Sequence, residues 1–164
     1  MTTIRETHWL VRSICVILGA GAVIGIMLGV VAMGAPQFGT RLICAMAVLM
    51  YLAIGAAAVG LWFGEDLGLQ WTRLLLFVQI PVIQSTGFTY VFYTGATGLL
   101  YGGSEFGLRG LLGSSFTLAI HPGATSDVRF IAGANVLAIA MLVVLFRVDL
   151  MPSLLPPPLP RAYE

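Results

Sequence analysis

LLLFVQIPVIQSTGFTYVFYTGATG, Leu74–Gly98, is the stretch on which the reading of this chain turns. It opens a run from Leu74 to Ser104 that holds no Asp, Glu, Lys or Arg. A bilayer core of about 30 Å takes roughly 20 apolar residues in a helix, so the run is long enough to cross one. Yet it carries Gln79, Gln84, Pro81 and three tyrosines, at positions 90, 93 and 101. On a single helix, Gln79, Thr86, Tyr90, Tyr93 and Thr97 are spaced by 7, 4, 3 and 4 residues, and about 100° per residue places them on one narrow stripe. An amide or phenol turned toward lipid would forfeit its hydrogen bonds, so the stripe is expected to face protein, water or a bound molecule. Pro81 leaves the carbonyl of Phe77 without its helical donor and predicts a kink near the same face.

The rest of the chain supports a membrane setting. Of its 164 residues, 59% are hydrophobic and 9% charged, against about 25% charged in soluble domains, and the mean hydropathy is +0.98. Apolar segments over residues 10–33, 42–63, 74–98 and 130–151 predict an all-α integral membrane protein, a four-helix antiparallel transmembrane bundle in a single membrane domain. The breaks GAPQFGT and GEDLGLQ carry residues that end helices, and Glu65 and Asp66 suit a helix amino terminus. Between the third and fourth spans, Leu108, Leu111, Leu112, Ser115, Phe116 and Ala119 share a helical face, which predicts a short interfacial helix. Residues 152–164 form a tail with five prolines, expected to be extended and suited to a groove on a partner.

Orientation follows from the arginines and tryptophans. Arg5, Arg12, Arg73, Arg147 and Arg161 fall on one side, and Arg41, Arg109 and Arg129 on the other, which places both termini in the cytoplasm. Trp9, Trp62 and Trp71 all fall at one membrane face, as interfacial rings should. A bacterial inner membrane is the expected location.

Gly21, Gly25 and Gly29 recur every four residues and line one face of the first helix. Ala53 with Ala57, and Ala56 with Gly60, offer small-residue rows on the second. Such faces let backbones approach closely, either within the chain or between subunits. Asn135, a polar residue in the fourth apolar segment, is the expected partner of the stripe.

Several functional classes lack their residues. All eight basic residues are arginine, so no lysine is present for Schiff-base chemistry with retinal or pyridoxal phosphate. No basic stripe suits nucleic acid. Cys15 and Cys44 fall toward opposite membrane faces and form no C-x-x-C, so four-helix thiol oxidoreductase chemistry has no reactive pair. His8 and His121 also fall on opposite sides, and each could ligate a haem iron or chlorophyll magnesium only alone. No cofactor or metal is expected, and no catalytic residue is assigned. Two expectations remain. The first is a non-catalytic accessory or structural subunit of a larger membrane complex, docking partner subunits through helix packing. The second is a small homo-oligomeric protein, a carrier or enzyme, that binds a lipid, pigment or other apolar molecule at the polar stripe.

Overall fold

The computed structural model describes residues 4–103, 106–120 and 130–149. Along these residues the elements run α1 (Ile4–Ala32), α2 (Phe38–Trp62), α3 (Asp66–Val78), β1 (Pro81–Gln84), β2 (Phe88–Tyr93), β3 (Ala96–Gly103), β4 (Gly107–Leu112), β5 (Ser115–Ile120), β6 (Ile131–Asn135) and α4 (Val136–Asp149). The expected all-α bundle is therefore wrong: a six-stranded antiparallel sheet stands between α3 and α4.

The correction begins at Pro81. Its ring clashes with the preceding turn and it has no N–H to donate, and Ile80 before it is pushed out of the helical region. Instead of kinking, the third helix stops. Gln79 and Ile80 close it by donating their N–H groups to Leu76 O at 3.0 Å and Phe77 O at 3.2 Å. Beyond it, FTYVFY is rich in the β-branched and aromatic residues that suit a pleated surface, and it forms β2. The predicted interfacial helix over residues 108–119 is likewise absent, because those residues form β4 and β5. Residues 131–135, expected to begin the fourth helix, are β6.

Among the described residues, two helices are long and apolar enough to cross a membrane, Trp9–Ala32 within α1 and Phe38–Trp62. With 13 and 14 residues, α3 and α4 reach only about 20 Å each at 1.5 Å per residue. They line the lower half of the α1–α2 hairpin. Arg73 of α3 donates to Leu145 O near the end of α4 at 2.8 Å and lies over the Phe146 ring, so the two short helices run antiparallel. Trp62 ends α2 at this same end of the bundle, with the Arg12 guanidinium 5.4 Å from its ring centre.

Strands β2 to β5 are one long hairpin. Its register never slips: Phe88 faces Ile120, Tyr93 faces Ser115, Ala96 faces Leu112 and Tyr101 faces Gly107. This two-stranded ribbon bends where Thr94 and Gly95 lie beside Gly113 and Ser114, and the Gly113 N–H donates to Gly95 O at 2.8 Å across the bend. Gly95 and Gly113 have φ of +80° and +126°, the left-handed region in which glycine is at ease. One arm then pairs through β2 with β1, the other through β3 with β6, and β1 pairs with β6, giving the order β4-β3-β6-β1-β2-β5.

Such a sheet has to curl. Flat, its edge strands would stand about 24 Å apart, five spacings of about 4.8 Å. Yet β4 and β5 are joined by Gly113 and Ser114 alone, three Cα steps that reach about 11 Å at most.

The bend rests on α1. There is no room for a side chain between Gly21 and the backbone of Thr94 and Gly95, and Gly95 in turn lies against Ile17 O. Above this contact Gly25 faces the Tyr51 ring and Gly29 faces Val48, so the glycine face of α1 serves first the ribbon and then α2. A core of Ile14, Leu18, Ile54, Leu76, Phe92 and Leu145 ties helices to sheet. Within it Phe92 is fully buried, its ring tilted by 51° against Tyr51 at 5.8 Å and edge-on at 5.6 Å to Phe116.

Adding a methyl at position 21 forces α1 away from the bend. Gly21→Ala is expected to destabilise the protein by about 1–3 kcal/mol, as overpacking does. Gly19→Ala, where nothing lies within 4 Å, should be neutral or slightly stabilising because alanine favours helix. Unfolding midpoints of the two variants check the contrast.

Candidate functional site

The strongest concentration of buried polar chemistry lies where α3 ends, α4 begins and the ribbon bends. Gln79, Thr94, Thr97 and Asn135 meet the helices there, and none is more than 3% exposed. Gln79 caps the carboxyl end of α3 and its Oε1 accepts from the Thr94 N–H at 3.0 Å. Asn135 is the residue before α4. Its Oδ1 accepts from the Ala138 N–H at 3.2 Å, the bond expected of a helix amino-terminal cap, and from the Gly98 N–H at 3.3 Å. The two amides are neighbours, because the Asn135 N–H donates to Ile80 O at 2.9 Å, one residue after Gln79.

These bonds fix the amides' orientation. Each carbonyl oxygen is held by backbone N–H groups, so Gln79 Nε2 and Asn135 Nδ2 are donors directed elsewhere. Both nitrogens, together with Thr94 Oγ1 and Thr97 Oγ1, have no hydrogen-bond partner among the described residues. Beside Gln79, Leu18, Ile54, Thr72 and Leu75 line a cleft too tight to admit a water molecule. Thr72 satisfies its hydroxyl within α3 by donating to Gly68 O at 2.7 Å. On the α1 side, Ser114 Oγ donates to Gly21 O at 2.6 Å and accepts from the Gly95 N–H at 3.3 Å, which locks the bend onto the helix.

The expected stripe is redistributed, because no helix carries it. Gln79 and Thr97 reach the corner, and Asn135 meets them there as a helix cap instead of a mid-helix residue. Tyr90 is close by on β2, where its hydroxyl donates to Val78 O at 2.8 Å and so satisfies the last turn of α3. Tyr93 lies at the end of β2, half-buried, and Thr86 is exposed in the β1–β2 turn, away from the others. Thr94 and Ser114 were missed. Their signal was the adjoining glycine in each case, Gly95 and Gly113, which marks a bend in a strand better than a turn of a helix.

Among the packing residues, Gly21, Gly25, Gly29, Ala57 and Gly60 are buried, with Gly60 against Gly68 of α3, whereas Ala53 and Ala56 are exposed. Among the described residues, no group of three or more His, Cys, Asp or Glu is placed to hold a metal. His121 and the 152–164 tail lie outside the described residues, and of His8 only its place in α1 is described.

The arrangement can cap, bridge and orient backbone, and removing either amide leaves buried N–H groups unpaired. Asn135→Ala is expected to cost about 2–4 kcal/mol, combining a lost cap with an unsatisfied Gly98 N–H, and Gln79→Leu about 1–3 kcal/mol. Thr86→Ala should stay within about 0.5 kcal/mol. Denaturant or thermal unfolding in detergent checks the ranking. Compared with protein families, curated proteins and solved structures, the chain matches none of them.

Proposed function

We propose that the protein is an integral membrane component without chemistry of its own, which holds partner chains in the bilayer. The observation that carries this proposal is the outward face of the hairpin. Val16, Val23, Met27 and Val31 on α1, and Leu49 and Val59 on α2, are large, apolar and exposed. A face of that kind has water as a poor solvent and acyl chains as a good one. Gln79 and Tyr90 of the charge-free run are bonded within the chain, where they hold α3 to the ribbon, so partner contacts fall to the surface of the helices and the sheet.

The membrane is a bacterial inner membrane, with the tryptophan end of the bundle toward the cytoplasm. Support comes from Arg12, Arg73 and Arg147, which lie toward that end, while Arg41 lies at the start of α2. In this setting α1 and α2 cross. The shorter α3 and α4 enter from the cytoplasmic side and stop near mid-depth, since Gly21, which touches the bend, is near the middle of the Trp9–Ala32 run.

A second proposal, a bound apolar molecule with a polar head, rests on the four corner atoms that have no partner. It differs from the first in one measurable respect. Native mass analysis after mild detergent extraction would show a retained small molecule, lost in Gln79→Leu, where the first proposal expects protein chains alone.

Expressed in full, the chain is expected to stay in the membrane pellet through alkaline carbonate washing and to leave it only with detergent. Release by carbonate would overturn the membrane assignment.

A further inference from the structure

At the tryptophan end of the bundle, the turn between α2 and α3 carries apolar surface that the described residues leave uncovered. Every residue from Trp62 to Leu67 is exposed. Trp62, Phe63, Leu67 and Trp71 are 49%, 75%, 66% and 53% exposed, four large apolar side chains within one short stretch of chain. Glu65 and Asp66 stand among them, and among the described residues no cation pairs with either carboxylate.

Those two charges select what can lie on the rings. Aromatic side chains at a membrane interface ordinarily meet lipid headgroups. Two fixed carboxylates beside them repel an anionic headgroup and favour a ligand that brings flat apolar surface together with a cation. A proline-rich extended segment ending in arginine is such a ligand. Its conformation is set in advance, so it loses little entropy on docking, and aromatic-lined grooves are the surfaces that take it. Arginine then pairs with carboxylate through parallel N–H bonds or stacks on an indole face.

The chain carries a segment of this kind, LLPPPLPR, Leu154–Arg161. It also starts from the right place. Arg73 donates to Leu145 O, so the two helices touch there. From that contact α3 runs back to its start at Asp66 and α4 runs on to its end at Asp149, in the same direction. At 1.5 Å per residue and an axis separation of 8–10 Å, the end of α4 lies within about 15 Å of the start of α3. Residues 150–155, fully extended, reach about 20 Å, which covers that gap. Residues 156–160 then span about 15 Å as a polyproline helix and deliver Arg161 at its far end. In sequence Glu164 follows Arg161, and Arg12, held over the Trp62 ring, is a cation close to the same turn.

We infer that residues 156–161 of the tail lie across the α2–α3 turn of their own chain, with prolines on the exposed rings and Arg161 at Glu65 and Asp66. The strap ties the end of α4 to the turn, and a partner chain reaches this turn only by displacing it. Tail and turn share one end of the bundle whatever surrounds the protein, so the inference does not rest on the membrane setting.

The full chain carrying Cys15→Ala and Cys44→Ala receives Ala162→Cys together with Gln70→Cys, one helical turn beyond Asp66. Mild oxidation should close a disulfide within one chain, reversed by reductant, with the mass remaining 17.4 kDa. Arg161→Glu should slow closure about two- to five-fold, the worth of an exposed ion pair, and so should Glu65→Gln with Asp66→Asn. Glu65→Arg with Asp66→Arg should restore the rate in the Arg161→Glu chain. Trp71→Ala alters no charge and sits on the exposed side of α3, yet it should slow closure as well. A rate indifferent to Trp71 and to all three charges means a tail without a seat, and a rate that follows the charges alone means steering without docking; either overturns the inference. Adducts of twice the mass in place of the closed single chain place the tail on a neighbouring copy and overturn it too, as does the absence of any cross-link.

Discussion

The structure depends on how two backbone N–H groups are satisfied where the ribbon turns from one arm to the other. Thr94 lies between β2 and β3, and Gly98 of β3 lies just past the residue at which its pairing with β6 ends, and an unpaired amide in a dry interior costs about 1–3 kcal/mol. Gln79 and Asn135 supply the missing acceptors. Each does so from a helix end, where a polar side chain is already favoured: one closes α3 and the other opens α4. The corner therefore couples the end of one helix, the start of another and the bend of the sheet through two amide side chains. The contact of Gly21 with Gly95 and the bond from Ser114 to Gly21 O set this unit against the middle of α1. Few other residues could serve, because the approach leaves no space for a β-carbon and the acceptors must reach backbone from within a packed core.

That coupling explains why the sequence was legible up to residue 78 and misleading after it. The apolar runs over residues 10–33 and 42–63 carry no charge beyond Arg12, near the start of the first, and both are helices with ends close to those expected. The charge-free run after Leu74 passes the same test of length and hydropathy, but length cannot tell one buried helix from several buried strands. The discriminating signals were local. Pro81 ends a helix as readily as it kinks one, the residues after it are β-branched and aromatic, and Gly95, Gly98, Gly102 and Gly103 are spaced too densely for a helix interior. Gly110 and Gly113 do the same for the segment expected to be interfacial.

The candidate site was partly legible for a related reason. Gln79, Thr97 and Asn135 stand out because a buried polar residue in an apolar segment needs a partner, whatever the secondary structure, and the three converge on one corner. The helical stripe that linked Gln79 to Thr86 and Tyr93 was an accident of spacing. Intervals of 3, 4 and 7 also occur by chance in a run so rich in hydroxyls, and strands carry the same residues to different ends of the sheet. Thr94 was invisible to periodicity because it acts mainly through its backbone N–H, which every residue but proline possesses.

The polarity within the charge-free run thus divides into two physical roles. One set is consumed inside the chain: Gln79 and Asn135 hold the bend, and Tyr90 satisfies Val78 O. The other set, Gln84, Thr89 and Tyr93, lies on the opposite face of β1 and β2 from Tyr90 and Phe92, and its alternation with them follows from the period of two that any strand imposes. The face of Tyr90 and Phe92 packs on the helices, where Phe92 meets Tyr51 and the Tyr90 hydroxyl reaches Val78 O, so these polar residues are turned away from that core and take no part in holding helices to sheet. The same period thus separates the residues that anchor the sheet from those that leave it free to meet its surroundings, and only the first group is tied to the corner.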